Sequence, residues 1–477
     1  MKDTDKPSRK SFDARLKRMV DRLRADIRNG TYAPGDYLPS EKALTEQFQL
    51  SNKSVRKGLE TLIGEGLIVK LDRVGSRVTD SAPGASITLT LGYTSSIERD
   101  IALSSLLDDF HELHPSIRVK PLQVKSVSNY LSAVKEYMDN GLVDVFTLNN
   151  LDYQSVLDKG DLKRLQRLDT DPQLYRFAQE AFLYEGEPYA RPLVFSPIIL
   201  GYNRAHFRNS GVPEPDGSWT WEDAMRHAAA LTEPGQRHGL YFYLLSDNRW
   251  PAFLLQSGDR FEANAGNDFR LADSRLLASI RLCKRIISDP GIFPNYMSEN
   301  SDDVNELFKQ GKVSMIMTNY MTINDFKDTD LEYDISPLPF MYEPRALLNV
   351  IGVAVSASSK QLDAARLLAD YLASARAQRI VRERTLSLPA HKETAEGPSD
   401  PDDGMNRPSR YYLFREIMAS YRLHRELNLN SSAFNGLRRL LKNYWSGLID
   451  EEELCRQAST LPRSPDRGGS KPAIVSD

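Results

Sequence analysis

Residues 38–56 read LPSEKALTEQFQLSNKSVR, and this stretch decides the fold of the N-terminal part of the chain. Pro39 disfavours a helical conformation just before it. Ser40 can then cap a helix that carries Leu44 and Phe48 on one face. The pattern predicts one short helix that ends before the next capping residue, Ser51.

Ser51 begins a second helix in this pattern, with one apolar face and one basic face. The apolar residues follow the spacing i, i+4, i+7 and i+8, which is typical of a helix with one buried side; they are Val55, Leu59, Leu62 and Ile63. The opposite face carries Asn52, Lys53, Arg56 and Lys57. Two short helices joined by a tight turn, the second one basic on its free side, predict a helix-turn-helix that enters a DNA major groove.

The flanking residues complete a small domain. A preceding helix is predicted to end at Gly30 and to place one apolar stripe inward: Phe12, Leu16, Met19, Val20, Leu23 and Ile27. After the second helix, residues 65–69 and 72–78 read as a strand, a basic turn and a returning strand, which is the pattern of a wing.

Residues 12–79 resemble the GntR-type winged helix of bacterial repressors. The resemblance rests on PGDYLPSEKALTEQF at 34–48, LSNKSVRKGLETLIGEGLI at 50–68 and VGSRV at 74–78. It implies a DNA-binding set made up of Ser40, Lys42, Asn52, Lys53, Ser54, Arg56, Lys57, Gly75, Ser76 and Arg77. Lys42 and Asn52 stand where the family usually has Arg, and Gly58 stands where Ala is usual. The first two differences bear on the operator sequence, because Lys and Arg are not equivalent at a bidentate guanine contact.

Length and composition bound the rest of the chain. A chain of 477 residues is long enough for two or three domains. Its two cysteines, Cys283 and Cys455, argue against a disulfide scaffold or a zinc site. No apolar run approaches a membrane span, and the N-terminus has no apolar segment typical of a signal peptide. We therefore expect a cytoplasmic protein with no membrane partner, no metal and no cofactor.

Charge is divided unevenly along the chain. Residues 1–80 hold 17 Lys and Arg against 12 Asp and Glu, although the whole chain carries a net charge of −3. The N-terminal part is therefore basic and the remainder acidic. This division is expected when only one part of a protein touches phosphates.

After a short linker at 80–86, an α/β rhythm begins. Alternating residues predict strands at 87–91, 117–120 and 143–148, and amphipathic helices lie between them. Strands that alternate with helices predict a mostly parallel sheet covered on both faces.

Residues 87–460 resemble the extracellular solute-binding proteins of ABC importers, the group that includes maltose- and oligosaccharide-binding proteins. Matching segments include LLDDFHELHPSIRV at 106–119, WTWEDAMRHAAALT at 219–232 and LFKQGKVSMIM at 307–317, in the order and spacing of that family. The resemblance implies two α/β lobes that close on a ligand. Lobe one is expected at about 87–195 and 353–395, and lobe two at about 200–348 plus C-terminal helices, with crossovers near 195–199 and 349–353.

The resemblance also places a ligand set in the cleft: Tyr93, Asn149, Asn150, Ser196, Asp247, Trp250, Tyr320 and Asn349. Aromatic rings such as Trp250 and Tyr320 can stack on the apolar faces of sugars, while amides and carboxylates bond the hydroxyls. Trp219 and Trp221 are expected to be structural instead, because they open a helix.

The domain order predicts a multidomain protein: a winged helix-turn-helix at 11–79, the linker, a bilobal α/β domain like a periplasmic binding protein at 87–461, and a disordered tail at 462–477. Members of the solute-binding family are exported, yet here the module follows a DNA-binding domain. We therefore expect it to serve as a cytoplasmic effector sensor. The hypothesis is that the protein is a homodimeric transcriptional repressor that binds inverted-repeat operator DNA. It is expected to sense a small polar effector such as a carbohydrate.

Two other functions remain open at this stage. Some winged-helix proteins of this length carry an aminotransferase-like domain with pyridoxal phosphate, but its lysine context and Asn-Pro-Thr-Gly-like segment do not occur here. The protein could instead be a cytosolic solute carrier with a vestigial winged helix. No nucleophile–base pair, Walker loop or CxxC motif indicates catalysis, and His111-Glu112-Leu113-His114 lacks the spacing of a zinc motif.

Overall fold

The computed structural model describes residues 9–28, 31–71, 74–79, 87–124, 130–262, 271–295, 298–398 and 404–462, with side chains from residue 15 onward. The predicted linker at 80–86, the tail beyond 462, Gly30 and the side chain of Phe12 lie outside the described residues. Within the described ranges, no helix has the length and apolar character needed to cross a membrane.

The N-terminal domain contains three helices and a two-stranded sheet. Its elements are α1 (Arg9–Arg28), α2 (Glu41–Phe48), α3 (Asn52–Gly64), β1 (Ile68–Leu71) and β2 (Gly75–Val78). Ser40 caps α2 by accepting a hydrogen bond from the Ala43 amide at 3.2 Å, and the Ser51 hydroxyl accepts one from the Ser54 amide. Strands β1 and β2 pair in antiparallel register. This arrangement is a winged helix-turn-helix, as predicted.

One hydrophobic core holds this domain together, and each element contributes to it. Its residues are Met19, Val20, Leu23, Ile27, Leu38, Leu44, Leu50, Val55, Leu59, Leu62, Leu67, Ile68 and Val78. Ile63 was predicted on the apolar face, but it is 36 % exposed because α3 ends one residue later and no element covers that side. The packed core shows that these residues form a domain with its own apolar interior.

The larger domain alternates strands and helices. Its first elements are β3 (Ile87–Tyr93), α4 (Ile97–Ile101), α5 (Leu103–Leu113), β4 (Ile117–Gln123), α6 (Tyr130–Asp139), β5 (Val145–Asn149), α7 (Asn150–Asp158), α8 (Arg176–Glu180), β6 (Leu183–Tyr184), β7 (Glu187–Pro188), β8 (Arg191–Asn203), α9 (Arg204–Ser210), α10 (Trp221–Leu231), β9 (His238–Tyr241) and α11 (Trp250–Leu255). They are followed by α12 (Arg275–Ile287), α13 (Ser301–Lys309), β10 (Val313–Asn319), β11 (Tyr333–Ser336), β12 (Ala346–Val355), α14 (Leu362–Ala373), α15 (Ala375–Arg384), β13 (Leu388–Pro389), α16 (Lys392–Glu396), α17 (Leu413–Glu416), β14 (Tyr421–Arg422), α18 (Ser431–Trp445) and α19 (Glu451–Ser459). Short 3-10 turns cover Leu162–Arg164, Thr322–Phe326, Met418–Ser420 and His424–Leu427.

The main sheet runs in the order β4-β3-β5-β12-β8-β10-β9, with β11, β13 and β14 paired beside this path. Strands β3, β4 and β5 are parallel to one another, but β12 is antiparallel to both β5 and β8, and β10 is antiparallel to β8. The prediction of a mostly parallel sheet is therefore wrong. The long strands β8 and β12 run against their neighbours, so the sheet is mixed.

Strand β8 joins two halves of this sheet. Its first residues, 191–197, pair with β12, and its last residues, 198–202, pair with β10. We call the part built on β3, β4 and β5 the first half, and the part built on β9, β10 and β11 the second half. Trp219 and Trp221 are buried in the second half, just before α10 and at its first residue, and Trp221 donates to the Gln256 side-chain oxygen at 2.8 Å. Both tryptophans are structural, in agreement with the prediction.

Candidate functional site

The free face of α3 carries the basic side chains that could meet DNA. Lys53, Arg56 and Lys57 are exposed, and so are Asn52 and, on α2, Lys42. The Asn52 side-chain oxygen accepts a hydrogen bond from the Thr45 hydroxyl at 3.0 Å, which ties the start of α3 to α2. These side chains form one polar surface with positive charge, of the kind that contacts phosphates and base edges.

Two residues of the predicted DNA-binding set point into the domain, and the prediction is corrected for both. Ser54 is 6 % exposed, and its hydroxyl lies 2.7 Å from the Ser51 hydroxyl within the cap of α3. Ser76 is 8 % exposed because strand β2 directs it inward between two outward-facing neighbours. Neither side chain is presented to solvent in this conformation.

The other wing residues and the α2 cap lie at the surface. Gly75 is exposed with a φ of +138°, a backbone region that favours glycine. Arg77 is half-buried and pairs with Val69 across the wing. The Ser40 side chain is exposed while it caps α2. These positions remain candidates for DNA contact.

A residue absent from the predicted set, Glu41, organises this surface. Its carboxylate accepts a hydrogen bond from Arg56 Nε at 2.7 Å and another from Lys70 Nζ at 3.0 Å. These two bonds hold the pKa of Glu41 below its ordinary value. Local sequence patterns could identify Glu41 only as an acid at a helix start, because its partners lie 15 and 29 residues further along the chain.

Gly58 has a packing role that explains its departure from the family pattern. It is buried where α3 meets α1, and a Cβ at this position would lie 2.3 Å from Met19 Cε. The same atom would lie 3.1 Å from carbon atoms of Leu16 and Val20. The glycine therefore allows a close approach of the two helices.

Between the two halves of the main sheet, a buried histidine links side chains from distant parts of the chain. His424 Nε2 donates to the Asp247 backbone oxygen at 2.8 Å, and His424 Nδ1 accepts from the Asn150 side chain at 3.1 Å. Asn150 Oδ1 also accepts from the Val350 amide at 2.9 Å. Burial lowers the pKa of His424 to about 4, so the neutral ring holds this network at neutral pH.

Asp247 continues the network toward the surface. Its half-buried carboxylate accepts from Arg438 Nη1 at 3.0 and 3.2 Å. Burial raises the pKa of Asp247 while Arg438 opposes the rise. Burial also raises the pKa of Asp152, on α7 of the first half, to about 6, and the negative charge of Asp247 adds to that shift. Two carboxyl groups from opposite halves therefore influence each other in this region.

The two predicted stacking residues are enclosed by the chain itself, and the expectation of open aromatic faces is wrong for this conformation. Trp250 is 1 % exposed, and its ring centroid lies 4.7 Å from that of Phe434 on α18. Tyr320 is fully buried, and its hydroxyl donates to the Tyr411 backbone oxygen at 2.8 Å. Residues of the segments 411–414 and 431–445 cover both rings.

The remaining predicted ligand residues fall into two groups. Ser196 is fully buried on β8, where its hydroxyl accepts from the Tyr320 amide at 2.7 Å. Asn149 caps α7 by accepting from two backbone amides, at 2.9 and 2.8 Å. Tyr93 and Asn349 are half-buried, and Asn349 lies opposite Ser196 in the sheet register. The structure thus groups Ser196, Tyr320 and Asn349 at the crossover, and Asn150 and Asp247 around His424.

A salt bridge joins the two halves at a second place. Arg99, on α4 of the first half, donates from Nη1 to both carboxylate oxygens of Asp325 in the second half, each at 3.2 Å. Asn305 also donates to Asp325, at 2.6 Å. Beside it, burial raises the pKa of Asp100 to about 6, against the effect of Arg99. The halves are therefore in polar contact both at His424 and at Arg99.

Two protein families match this chain. Residues 16–78 match the family described as bacterial regulatory proteins of the gntR family, and residues 105–405 match the bacterial extracellular solute-binding proteins. The first is a family of regulators and the second a family of binding proteins.

Individual relatives divide in the same way. A galactooligosaccharide-binding protein of Bacillus subtilis is 22 % identical over 365 residues, which cover 73 % of this chain and 83 % of the relative. A putative binding protein of Brucella abortus is 26 % identical over 160 residues, covering 32 % of this chain, so the chain spans only 38 % of that relative's length. The HTH-type transcriptional repressor NagR of Bacillus subtilis is 38 % identical over 61 residues, 13 % of this chain and 25 % of the repressor.

Solved structures of binding proteins share the fold of the larger domain. The GacH receptor of Streptomyces glaucescens, solved unliganded and with acarbose, superposes with a TM-score of 0.67 at 22 % identity, covering 78 % of this chain and 96 % of the receptor. The binding protein Lmo0181 of Listeria monocytogenes, solved with cycloalternan, gives a TM-score of 0.66 at 20 % identity, covering 78 % and 97 %. At this level of identity the likeness establishes the fold.

Proposed function

Because this chain belongs to the bacterial extracellular solute-binding protein family and carries a gntR-family domain ahead of it, we propose that it is a ligand-responsive transcriptional repressor. The fusion of a DNA-binding domain to a solute-binding domain supports a ligand-responsive regulator. One observation carries the proposal. A winged helix whose α3 has a basic, exposed face lies in the same chain as the main sheet with its two halves. A DNA reader acts where the chromosome is, so the proposal places the protein in the cytoplasm.

The DNA target of this proposal is an inverted repeat bound by a homodimer. A recognition helix reads a few base pairs of one half-site, and a two-fold dimer reads two half-sites about one helical turn apart. Repression is supported by the likeness of residues in this domain to the repressor NagR. The contacting side chains would be the exposed ones of α2, α3 and the wing.

The effector of this proposal is a small carbohydrate bound between the two halves of the sheet. Acarbose and cycloalternan, with which these two related binding proteins were solved, are carbohydrates, which supports this class. The half-buried polar side chains Tyr93, Asn149, Asp247 and Asn349 would bond its hydroxyls. Binding requires the contacts at His424 and Arg99 to rearrange, because the chain's own residues now fill the region.

The proposal couples the two sites through the relative position of the sheet halves. A ligand that contacts both halves stabilises only the arrangement in which both contacts exist. Linkage then requires that operator DNA change effector affinity by the same factor by which effector changes operator affinity. We expect effector to weaken operator binding.

The test uses the full-length chain. A duplex enriched by the protein from a random 30-bp library serves as operator, and a panel of neutral oligosaccharides, sugar acids and phosphorylated sugars is screened by isothermal titration. The effector found is then titrated with and without saturating operator duplex. Two different affinities support the proposal, and the same affinity in both titrations contradicts it. A visible aldimine absorbance in the purified protein would instead favour a pyridoxal phosphate enzyme, and failure to enrich any duplex would favour a solute carrier.

A further inference from the structure

Glu41 connects three elements of the DNA-binding domain. It is the first residue of α2, and its carboxylate contacts Arg56 on α3 and Lys70 on β1 of the wing. The Glu41 side chain is 27 % exposed, whereas those of Arg56 and Lys70 are 61 % and 50 % exposed. One partly shielded carboxylate thus holds two exposed cations, one on the recognition helix and one on the wing.

The contact with Arg56 has a definite orientation. Glu41 receives the hydrogen bond from Nε, which lies at the inner end of the guanidinium group. The terminal nitrogens Nη1 and Nη2 form the outer edge of the same plane. A guanidinium that presents two terminal N–H groups matches the O6 and N7 acceptors of guanine in the major groove. The hydrogen bond at Nε therefore leaves Nη1 and Nη2 available to contact a base. It also limits rotation of the guanidinium group.

A carboxylate at a DNA-binding surface also has an electrostatic cost. It repels phosphates, and it neutralises part of the positive charge that drives sequence-independent binding. It is useful to a DNA reader only if the order it imposes favours one sequence over others. Glu41 meets that condition because both of its partners lie on elements that enter or flank the groove.

We infer that Glu41 is a specificity-determining positioning residue, which sets the guanidinium of Arg56 for bidentate base reading and fixes the wing through Lys70. The inference rests on the proposed function, since it concerns the same DNA surface. Glu41 acts through Arg56 and Lys70 and lowers binding to unrelated DNA while it raises binding to the selected sequence.

The experiment compares Glu41→Gln with Glu46→Gln in the full-length protein. Both substitutions remove one negative charge from α2, but Glu46 is exposed and makes no ion pair within the part of the chain that the structure describes. The probes are the 30-bp duplex that wild type enriches from a random library and a scrambled duplex of the same composition. Affinity for each is measured from 50 to 300 mM NaCl, and thermal melting reports folding.

Glu41→Gln should lower the ratio of specific to scrambled affinity by about tenfold, the scale of one bidentate base contact. Its affinity for the scrambled duplex should rise, and the salt dependence should steepen by about one phosphate contact, because Arg56 and Lys70 become free to meet phosphates. Glu46→Gln should leave the ratio near that of wild type. Glu41→Asp, which keeps the charge on a shorter arm, should fall between Glu41→Gln and wild type.

Three results would overturn the inference. An unchanged affinity ratio in Glu41→Gln would show that Glu41 does not set specificity. Higher affinity for both duplexes, at an unchanged ratio of specific to scrambled affinity, would show that Glu41 weakens binding to all DNA and does not set specificity. Lower affinity for both, with a lower melting temperature, would identify a structural residue only. If wild type enriches no duplex at all, the proposed function fails, and this inference fails with it.

Discussion

The basic side chains on the free face of α3 point outward, and one of them, Arg56, shares the Glu41 carboxylate with Lys70, whereas the polar side chains around His424 are enclosed and paired within the chain. Arg56 is 61 % exposed, while His424 is 2 % exposed. DNA is a large ligand that approaches from outside, so its reader can be preformed on a convex surface. The polar residues around His424 are enclosed instead, so a solute reaches them only if chain segments separate. The difference teaches that the face of α3 is already open to a partner, whereas the region around His424 is not.

The largest expected effect tests the enclosed region. Trp250→Ala should lower the free energy of unfolding of the larger domain by about 3–5 kcal/mol, because a large buried ring is removed against Phe434. Urea unfolding followed by tryptophan fluorescence reports this domain alone, since all four tryptophans lie beyond residue 200.

Lys53→Ala is the corresponding surface change on the winged helix, and its unfolding is followed by circular dichroism because residues 1–79 contain no tryptophan. It should shift stability by no more than about 0.5 kcal/mol, because an exposed side chain loses few contacts. A Trp250→Ala variant that changed the free energy of unfolding as little as Lys53→Ala does, and abolished only effector binding, would show that Trp250 contacts the ligand. The contrast between the two regions would then not hold.

The next effect concerns the DNA surface. Arg56→Ala should weaken binding to the enriched duplex by about 1–3 kcal/mol if Arg56 reads a base bidentately. Lys57→Ala should instead weaken binding to all duplexes alike and flatten the salt dependence by about one contact. Competition binding across several salt concentrations measures both. Equal and salt-insensitive binding by wild type and Arg56→Ala would show that the exposed face of α3 is not the reader.

The buried histidine gives the stability of the larger domain a dependence on pH. The folded-state pKa of His424, about 4, lies below its ordinary value of 6.5. Protonation therefore favours the unfolded chain, and stability is complete above about pH 6.5 and falls as pH decreases toward 4. Between pH 7 and pH 5 this group should cost about 2 kcal/mol.

His424→Gln isolates that contribution. Burial raises the pKa of Asp100 from 3.8 to about 6 in the folded protein, so its effect on stability has the opposite sign. The stability that Asp100 contributes at low pH is lost as pH rises from 3.8 to about 6. Its effect is present in wild type and in His424→Gln, and so it cancels in the difference between them. Unfolding at pH 7 and pH 5 should show a smaller loss in the variant. Equal losses would show that the pKa of His424 in the folded protein is not lowered.

The smallest effect lies where α1 crosses α3. Gly58→Ala gains up to about 1 kcal/mol of helix propensity but places a Cβ against Met19, whose displacement costs a similar amount or slightly more. The net change should be a destabilisation below about 1 kcal/mol. In a Met19→Ala background the same substitution should become stabilising. Circular dichroism of both pairs measures this reversal, and additive effects would exclude a direct clash.

Local patterns in the sequence predicted the helices and the basic face of the winged helix, because these features depend on residues that are close together in the chain. Helical spacing places Lys53, Arg56 and Lys57 on one face whatever surrounds them. The burial of Ser54 and Ser76 was not predicted. It depends on the cap of α3, which Ser54 joins, and on the face of β2 that carries Ser76. Glu41 was missed because its partners are distant in sequence.

The region between the sheet halves resisted prediction for a related reason. Its network joins Asn150, Asp247 and His424, which only the three-dimensional fold brings together. The family resemblance placed Trp250 and Tyr320 against a ligand, but in this chain both rings are buried in the core. The strands and helices between 87 and 148 were predictable from the spacing of their apolar residues. The antiparallel pairing of β12 was not, because the sequence of a strand does not indicate whether it pairs parallel or antiparallel with its neighbours.

The position of β12 in the centre of the sheet has a consequence for the order in which the protein is made. Its residues pair with those of β5 more than 200 positions earlier, as in Ile351 with Asn149. The pairs of β12 with β5 and β8 cannot be completed until the ribosome has translated residue 355, whereas the pair of β1 with β2 in the winged helix is available by residue 78. At ordinary translation rates that interval is roughly 15 to 60 seconds. During each round of synthesis, a nascent chain therefore carries the whole winged helix before the central strand of the larger domain has been made.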